Sequence, residues 1–294
     1  MKRKTLNGNK NIIGILFLAP SLAGFLIFFL APFFGGFYYA MTDSPVNGKF
    51  IGFRNFVELL TNESFLKAAS NTAVFTIISV PLIITLSLGL ALLLNQKIPF
   101  SDTFRTIFIM PLVIPVASVV FVWQCLFDYS GWLNGIISML GGPLGLKPVD
   151  WMKTELARAV VIIVYIWKNI GYNMVLFLAG LQNIPKEYYE SAGIDGAGTW
   201  RKFCRITLVY LTPTTFFVFV MSIINSFKVF RETYMIAGEY PHDSIYMLQH
   251  YMNNMFASLD YQKLTSAAFI MAAVMTLLVF ALYSAERKIN RSFS

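Results

Sequence analysis

The chain has 294 residues, of which 56% are hydrophobic and only 13% are charged. A water-soluble domain carries about 25% charged residues, so this composition excludes a soluble globular protein and indicates a polytopic membrane protein. The formal net charge of +8 would also suit a nucleic-acid-binding protein, but the positions of the basic residues indicate membrane topology instead.

Six charge-poor apolar stretches have the length of about 20 residues that a helix needs to cross the hydrocarbon core. They lie at about 12–41, 71–94, 106–127, 159–183, 213–236 and 264–285. Backbone groups inside a bilayer must be satisfied within their own segment, so each stretch is predicted to be a helix. The predicted fold class is all-α, with a six-helix membrane domain at 12–285 between a basic segment at 1–11 and a C-terminal tail at 286–294.

The distribution of basic residues predicts the orientation of these spans. If both termini face the cytoplasm, the cytoplasmic segments hold 13 Lys and Arg in 61 residues, against 9 in 96 residues on the other side. This twofold difference in density agrees with the positive-inside rule. We therefore predict cytoplasmic N- and C-termini and no nucleic-acid partner.

The first apolar stretch follows Met1-Lys2-Arg3-Lys4 and resembles a signal peptide. It is longer than the roughly 7–15 apolar residues of such a peptide, so a retained first helix is predicted. Pro20 and Pro32 are expected to bend or terminate that helix.

Two segments between spans have recognisable patterns. Residues 53–60 are typical of a short amphipathic helix, and residues 128–158 are rich in Gly and Trp, with Gly142 and Gly145 among them. Trp favours the boundary between water and lipid. Both segments are open to two interpretations, a packing collar or a docking site.

Cysteine and histidine positions give no sign of a disulfide or a metal site. Cys125 falls within an apolar span and Cys204 in a basic insert, so the two are expected at different depths and unpaired. His242 and His250 are eight residues apart, which matches no common metal-ligand spacing.

The fourth stretch carries polar residues at helical spacing. Asn169, Tyr172 and Asn173 share one face at i, i+3 and i+4, and Lys168 is predicted to snorkel near the end remote from the insert. Polar groups in lipid usually face a cavity or a partner helix. Asn173 is thus either a solute contact or an interhelical hydrogen bond.

Between the fourth and fifth stretches lies a polar, basic insert at 183–212. Pro185 can begin a helix through Ala192, three glycines at 193, 196 and 198 permit a turn, and a second helix is predicted at about Thr199–Leu208. This helix–turn–helix is suited to transmit the movement of a partner protein to the membrane spans. A plain connector between the spans explains it equally well.

The fifth stretch carries Asn225, Lys228 and Glu232 along one side, with Arg231 beside them. Lys228 and Glu232 are predicted to pair at i, i+4. The stripe is either a polar vestibule for a hydrated solute or a self-paired charge cluster. The candidate solute path comprises Tyr172, Asn173, Asn225, Lys228 and Arg231.

The insert contains Glu190-Ser191-Ala192, then Ile194-Asp195-Gly196-Ala197, with Ile206 and Leu208 in register downstream. This pattern resembles the cytoplasmic E-A-A loop of ABC-importer permeases, especially the carbohydrate importers of the maltose, glycerol-phosphate and oligosaccharide type. Ser191 replaces an Ala and Val209 replaces a Pro, while Pro213 fits a later proline of that family. The likeness includes the six-span plan and is strongest from about Gly171 to Pro213.

The resemblance implies a membrane permease subunit that forms half of a translocation path for a sugar or oligosaccharide. Its implied partners are a second homologous permease, two copies of a cytoplasmic ABC ATPase, an extracytoplasmic solute-binding protein and membrane lipid. The implied ATPase-coupling residues are Glu190, Ala192, Asp195, Gly196 and Ala197. For Asp195 the alternative is a cap of the second insert helix.

The resemblance also implies a bacterial-type plasma membrane location and no cofactor of the chain's own. No G-x-x-x-x-G-K-[ST] motif occurs in the sequence, so ATP is predicted to bind partner subunits. The alternatives are a membrane-embedded enzyme, for which the sequence shows no catalytic motif, and an ion-gradient-driven carrier, which would favour acidic residues inside the spans.

Overall fold

A computed structural model of the chain describes residues 6–96, 98–141 and 147–293. Within these ranges the secondary structure is helical apart from one isolated bridge between Thr42 and Phe50, which confirms the all-α prediction. Lys2, Arg3, Lys4, Gly142 and Gly145 lie outside the described residues.

The α-helices are numbered in chain order. They are α1 (Leu6–Phe25), α2 (Ala31–Ala40), α3 (Arg54–Leu60), α4 (Glu63–Leu94), α5 (Ser101–Val113), α6 (Val116–Phe127), α7 (Trp132–Gly141), α8 (Ala157–Gln182), α9 (Lys186–Ile194), α10 (Thr199–Lys202), α11 (Leu208–Tyr210), α12 (Thr212–Phe227), α13 (Phe230–Ala237), α14 (Leu248–Ala257) and α15 (Tyr261–Phe293).

Six helical stretches of the described chain are long and apolar enough to cross a membrane, as predicted. They are Ile13–Ala40, Glu63–Leu94, Val116–Gly141, Ala157–Gln182, Thr212–Ala237 and Tyr261–Lys288. The internal contacts divide the chain into two compact units, one of residues 1–62 and 255–271 and the other of residues 63–254 and 272–294.

In the first unit the helix continues through both prolines of the first stretch. A π-helical segment at Leu26–Leu30 joins α1 to α2 immediately before Pro32. Such a wider turn re-routes the hydrogen bonds around the position where the proline N–H is missing. The prolines therefore do not terminate the helix.

Two further elements of the first unit contact α2 and the residues that follow it. The predicted short helix is α3, whose Asn55 donates through Nδ2 to the carbonyl oxygens of Ala40 (2.9 Å) and Thr42 (2.8 Å). Phe269 of α15 lies edge-on to Phe33 of α2, with ring centroids 4.9 Å apart.

The second unit is built around α8, the helix with the largest buried share among the six stretches. It packs against α4, α5 and α12. Gly171 allows the close approach of α5, because a Cβ on that residue would collide with the backbone carbonyl of Phe108. Gly180 allows the close approach of α12, because a Cβ on that residue would lie 2.6 Å from Thr214 Oγ1.

The third membrane crossing is formed by α5 and α6 in succession. The chain is extended at Ile114 and Pro115 between them, because proline removes a helical hydrogen bond and restricts the residue before it. Gly171 is near the middle of α8, so Phe108 on α5 lies at mid-depth. The third crossing therefore spans 101–127, close to the predicted 106–127, and replaces the apolar stretch Val116–Gly141, which qualifies by length and composition alone. Helix α7, the second half of that stretch, lies beyond the crossing.

At the end of the second unit remote from the insert, loop 243–248 is fixed to two spans. Asn71 on α4 donates through Nδ2 to the carbonyl oxygens of Asp243 (2.6 Å) and Tyr246 (3.0 Å), and Arg158 on α8 donates to Ser244 O. The ion pair with Lys67, 2.5 Å away, holds the pKa of the Asp243 carboxyl below its usual range. We call this end of the unit the far end, and the opposite one the insert end.

The segment after α6 is held together by hydrogen bonds within it. Asn134 on α7 is buried and uses its whole amide, donating to Tyr129 O and Val149 O and accepting from Val149 N at 3.0 Å. The described part of 128–158 is therefore ordered around one buried side chain, which agrees with a packing role.

We predict that Gly171→Ala destabilises the membrane domain, because the added methyl group forces α5 away from α8. Overpacking of this kind costs about 1–3 kcal/mol. The purified protein in detergent should lose several degrees of thermal midpoint in a size-exclusion melting assay.

Gly89→Ala is the matched control, since a Cβ at Gly89 on α4 meets nothing within 4 Å and alanine is the better helix former. It should leave the midpoint unchanged or raise it. Equal melting of the two variants would contradict the proposed close approach.

Candidate functional site

The first arm of the insert is α9, which begins after Pro185 and ends in a Schellman motif. Gly196 N–H donates to Gly193 O (3.1 Å), and Ala197 N–H donates to Ala192 O (2.8 Å). Gly196 has φ of +73°, a left-handed conformation that is easy only for glycine. The glycine of the sequence motif therefore makes the turn between the two arms.

The second arm combines three short helical segments. After Gly198 the chain forms α10, a π-helical segment at Phe203–Thr207 and α11, which leads into α12. The helix predicted at 199–208 is present, but it is partly π-helical and continues toward the membrane span. The second arm thus leads into α12 with only Leu211 between the two helices.

Asp195 is the C-cap residue of α9, whereas the N-cap of α10 is Gly198 and has no side-chain cap. The alternative interpretation of Asp195 as a cap of the second insert helix is therefore wrong. Three residues that include two glycines separate Asp195 from Thr199, which places the carboxylate in the turn instead.

The inward side of the insert is anchored in the core of the second unit. Tyr189 and Thr207 form a hydrogen bond of 2.9 Å between the two arms. Ile184 is buried with Leu181 and Leu211, and Ile206 packs against the same cluster. The insert is therefore held to α8 and α12, as a lever requires.

The outward side of the insert exposes large apolar side chains beside charged ones. Ile194 is 89% exposed and Trp200 75% exposed, and Glu190 and Asp195 are exposed as well. Exposed apolar side chains beside charged side chains are typical of a protein-binding surface. Sequence reasoning named Ile194 only as part of the motif and did not assign Ile194 or Trp200 to a partner-binding surface.

Tyr188 and Tyr210 form a further contact between the arms, with ring centroids 5.0 Å apart. The hydrogen bond that the Tyr210 hydroxyl donates to Tyr188 raises the pKa of the Tyr210 phenol to about 12. Tyr210 thus remains neutral at physiological pH and adds no charge to the surface.

The polar residues of the fourth stretch lie at the contact between α8 and α12. Asn173 is buried and donates through Nδ2 to Ser222 Oγ at 2.9 Å, which is the interhelical bond predicted as its alternative role. Tyr165 OH donates to Ser222 O at 2.8 Å. Sequence reasoning missed Ser222, although a buried amide signals that a partner must exist.

The charges near the end of the fifth stretch pair differently from the prediction. Glu232 is buried and forms an ion pair with Lys168 of α8. The predicted pair of Lys228 with Glu232 is wrong because α12 ends at Phe227 and α13 begins at Phe230, so the two residues do not share a helix face. Lys168 pairs with an acid and does not merely snorkel.

The remaining path candidates are less buried than Asn173. Tyr172 and Asn225 are half-buried, and Lys228 and Arg231 are exposed. The structure thus places Asn173 inside the bundle and the two cations on its surface near the far end.

No group of three or more His, Cys, Asp or Glu residues is close enough to hold a metal ion within the part of the chain that the structure describes. Cys125 and Cys204 are both free, as predicted. His250 is fully buried against Phe230, with ring centroids 4.8 Å apart, and burial lowers its pKa to about 4.

We predict that Glu232→Gln destabilises the protein, because it leaves the partly buried Lys168 ammonium without its counter-charge. Breaking a buried pair costs about 3–5 kcal/mol; since Lys168 retains some exposure, the lower end is expected. The thermal midpoint in detergent measures this loss.

The double variant Lys168→Met with Glu232→Gln is the control, since it removes both charges and should recover much of the midpoint. If the double variant melts as early as Glu232→Gln alone, the loss does not come from the unpaired ammonium.

Several known proteins are similar to this chain in sequence. Residues 83–294 match the sequence profile of a family described as binding-protein-dependent transport system inner membrane component. A lactose transport system permease protein from Rhizobium radiobacter is 32% identical over 297 residues, which cover 97% of this chain and 98% of that protein. An arabinooligosaccharides transport system permease protein from Bacillus subtilis is 35% identical over 232 residues, covering 78% and 73%.

A solved structure has the same fold. The crystal structure of a bacterial ABC transporter involved in the import of the acidic polysaccharide alginate contains a chain that superposes with a TM-score of 0.82 at 24% identity, over 96% of this chain and 97% of that one.

Proposed function

The chain belongs to the family of binding-protein-dependent transport system inner membrane components, and we propose that it is the permease subunit of an ATP-driven sugar importer. The observation that carries the proposal is the insert, which has two helical arms and exposes the apolar side chains of Ile194 and Trp200. The chain that contains it is similar to a sugar permease over nearly its whole length.

Family membership confirms the resemblance drawn from Glu190 to Ala197, and with it the six-span permease fold. It makes the chain a component of a membrane transport system and not an enzyme. It also favours ATP-driven import over an ion-gradient-driven carrier.

The proposed solute is a sugar or oligosaccharide. Two relatives are permeases named for lactose and for arabinooligosaccharides, and a third, from Thermococcus litoralis, is named for trehalose and maltose. The shared chemistry is a hydroxyl-rich solute, which is recognised by hydrogen-bonding groups and aromatic faces.

We assign the insert to the cytoplasmic ATPase. Glu190, Ala192, Asp195, Gly196 and Ala197 form or flank the turn, and Ile194 and Trp200 supply exposed apolar area beside it. Buried aromatic anchors dominate the affinity of protein interfaces. The chain itself binds no nucleotide in this proposal, since ATP is held by two copies of the ATPase.

The assignment fixes the orientation of the second unit. The insert end faces the cytoplasm, in agreement with the basic residues at 1–11, 183–212 and 286–294, and the far end faces outward. A second homologous permease completes the pathway within the cell membrane. In this proposal an extracytoplasmic binding protein delivers the solute at the far end. A structure of a bacterial alginate ABC transporter in complex with an alginate pentasaccharide-bound periplasmic protein supports this partner.

The solute path in this proposal follows α8 and α12 toward the far end. Tyr172 and Asn225 provide an aromatic face and an amide, while Lys228 and Arg231 provide exposed cations. Asn173 sets the spacing of the two helices through Ser222, and its Oδ1 accepts no hydrogen bond within the described residues.

We expect Trp200→Ala to weaken the ATPase by about 10-fold or more, because truncating a Trp at the centre of an interface commonly costs more than 1.4 kcal/mol. The readout is the amount of ATPase that co-purifies with the permease, together with ATP-dependent uptake. Glu190→Ala and Gly196→Val should reduce the same two quantities, the second because Val is strained at positive φ.

Tyr240→Ala is the matched control, since Tyr240 is as exposed as Trp200 but lies in the loop at 238–242. It should retain full ATPase association. Normal association and uptake in the Trp200, Glu190 and Gly196 variants would refute the assignment of the insert.

Replacement of Asn225 or Lys228 by Ala should change the KM or the solute preference of uptake while complex assembly stays intact, because both side chains are accessible and neither closes a buried contact. Asn173→Ala should instead lower the thermal midpoint, since it removes the bond to Ser222. Transport by the reconstituted complex and its melting curve separate the two effects. Unchanged kinetics in both the Asn225 and the Lys228 variants would remove these residues from the path.

A further inference from the structure

Helix α7 presents an apolar face that no described residue of the second unit covers. Its ten residues, Trp132–Gly141, are about 15 Å long at 1.5 Å per residue. This is half of the roughly 30 Å that a spanning helix must cover. The helix follows the crossing formed by α5 and α6, so it lies at the far end without crossing the membrane.

The side chains of α7 divide into three faces. With about 100° between successive residues, the large apolar residues occupy one arc of roughly 100°, while Gly135 and Ser138 lie to one side of it. The apolar arc consists of Trp132, Ile136, Met139 and Leu140, which are 76%, 54%, 83% and 66% exposed.

The third face of α7 fixes the helix to the protein. Asn134 and Gly141 are buried, and Leu133 packs against Phe127, Val160 and Val164. The three hydrogen bonds of Asn134 to Tyr129 and Val149 set the rotation of the helix about its axis. The apolar arc therefore cannot turn inward without breaking them.

We propose that α7 is an interfacial helix that lies in the plane of the membrane at the far end and inserts Trp132, Ile136, Met139 and Leu140 into the adjacent lipid leaflet. A helix at this boundary has protein on one side, lipid on another and water on the third. The three faces of α7 meet this requirement, with Gly135 and Ser138 toward water.

Two observations favour lipid over a protein partner. The sequence of α7 contains no charged residue, whereas the rim of a protein interface is polar. The preceding helix α6 also exposes large apolar side chains, at Phe121 and Val122, in a crossing that hydrocarbon surrounds. Trp132 at the start of the helix suits the headgroup level, where Trp is enriched.

The test uses the complete importer in liposomes of phosphatidylcholine, with and without dibrominated phosphatidylcholine. Cys125 and Cys204 are replaced by Ser, and a single cysteine is introduced by Met139→Cys or, as the matched control on the same helix, Ser138→Cys. Each is labelled with bimane, and its emission is measured with the brominated lipid and with aqueous iodide.

Brominated lipid should quench the label at position 139 at least twofold more than the label at 138, and iodide should do the reverse. Equal quenching at the two positions would overturn the proposal. So would protection of position 139 from both quenchers with cross-linking to another subunit, which would make the arc a protein interface. Ile136→Cys repeats the test on the same face, and ATPase activity of the labelled complexes checks that they are assembled.

Discussion

The second unit depends on the close packing of α8 against three other helices. Between helices in lipid there is little hydrophobic driving force, so association relies on small residues that let backbones approach and on hydrogen bonds between side chains. Gly171 and Gly180 are the small residues that let α5 and α12 approach α8. Asn173 and Tyr165 form the hydrogen bonds between helices, and both bond to Ser222. One residue of α12 is thus held at two levels of α8.

This packing explains how the insert can act as a lever. The insert joins the end of α8 to the start of α12, and its arms are tied together by Tyr189 and Thr207. In the proposed mechanism, a force on α9 reaches α8 and α12, the two helices that Ser222 connects. The π-helical segment at Phe203–Thr207 is the irregular part of this connection, and π-turns inside helices frequently mark functional sites.

The sequence predicted the features that depend on local pattern. Apolar length located the six spans, and the spacing of Glu190, Gly196 and Ile206 located the insert. Gly196 adopts the left-handed turn that its place between two helical patterns requires. Contacts between residues that are far apart in the sequence could not be predicted. Nothing in the local pattern indicates that Glu232 pairs with Lys168, 64 residues away, since the break between α12 and α13 contains no proline or glycine.

The pairing of Glu232 with Lys168 determines where the positive charge of the far end lies. Had Glu232 paired with Lys228, as helix periodicity predicts, the cations left without an acidic partner would be Arg231 and the partly buried Lys168. Because Glu232 is buried against Lys168, both Lys228 and Arg231 remain exposed, and neither forms an ion pair within the described residues. Two unpaired cations beside a buried, neutralised pair make a locally positive surface. In the proposed path, that surface favours solutes with electronegative oxygen atoms, and a carboxylate-bearing sugar over a cationic one.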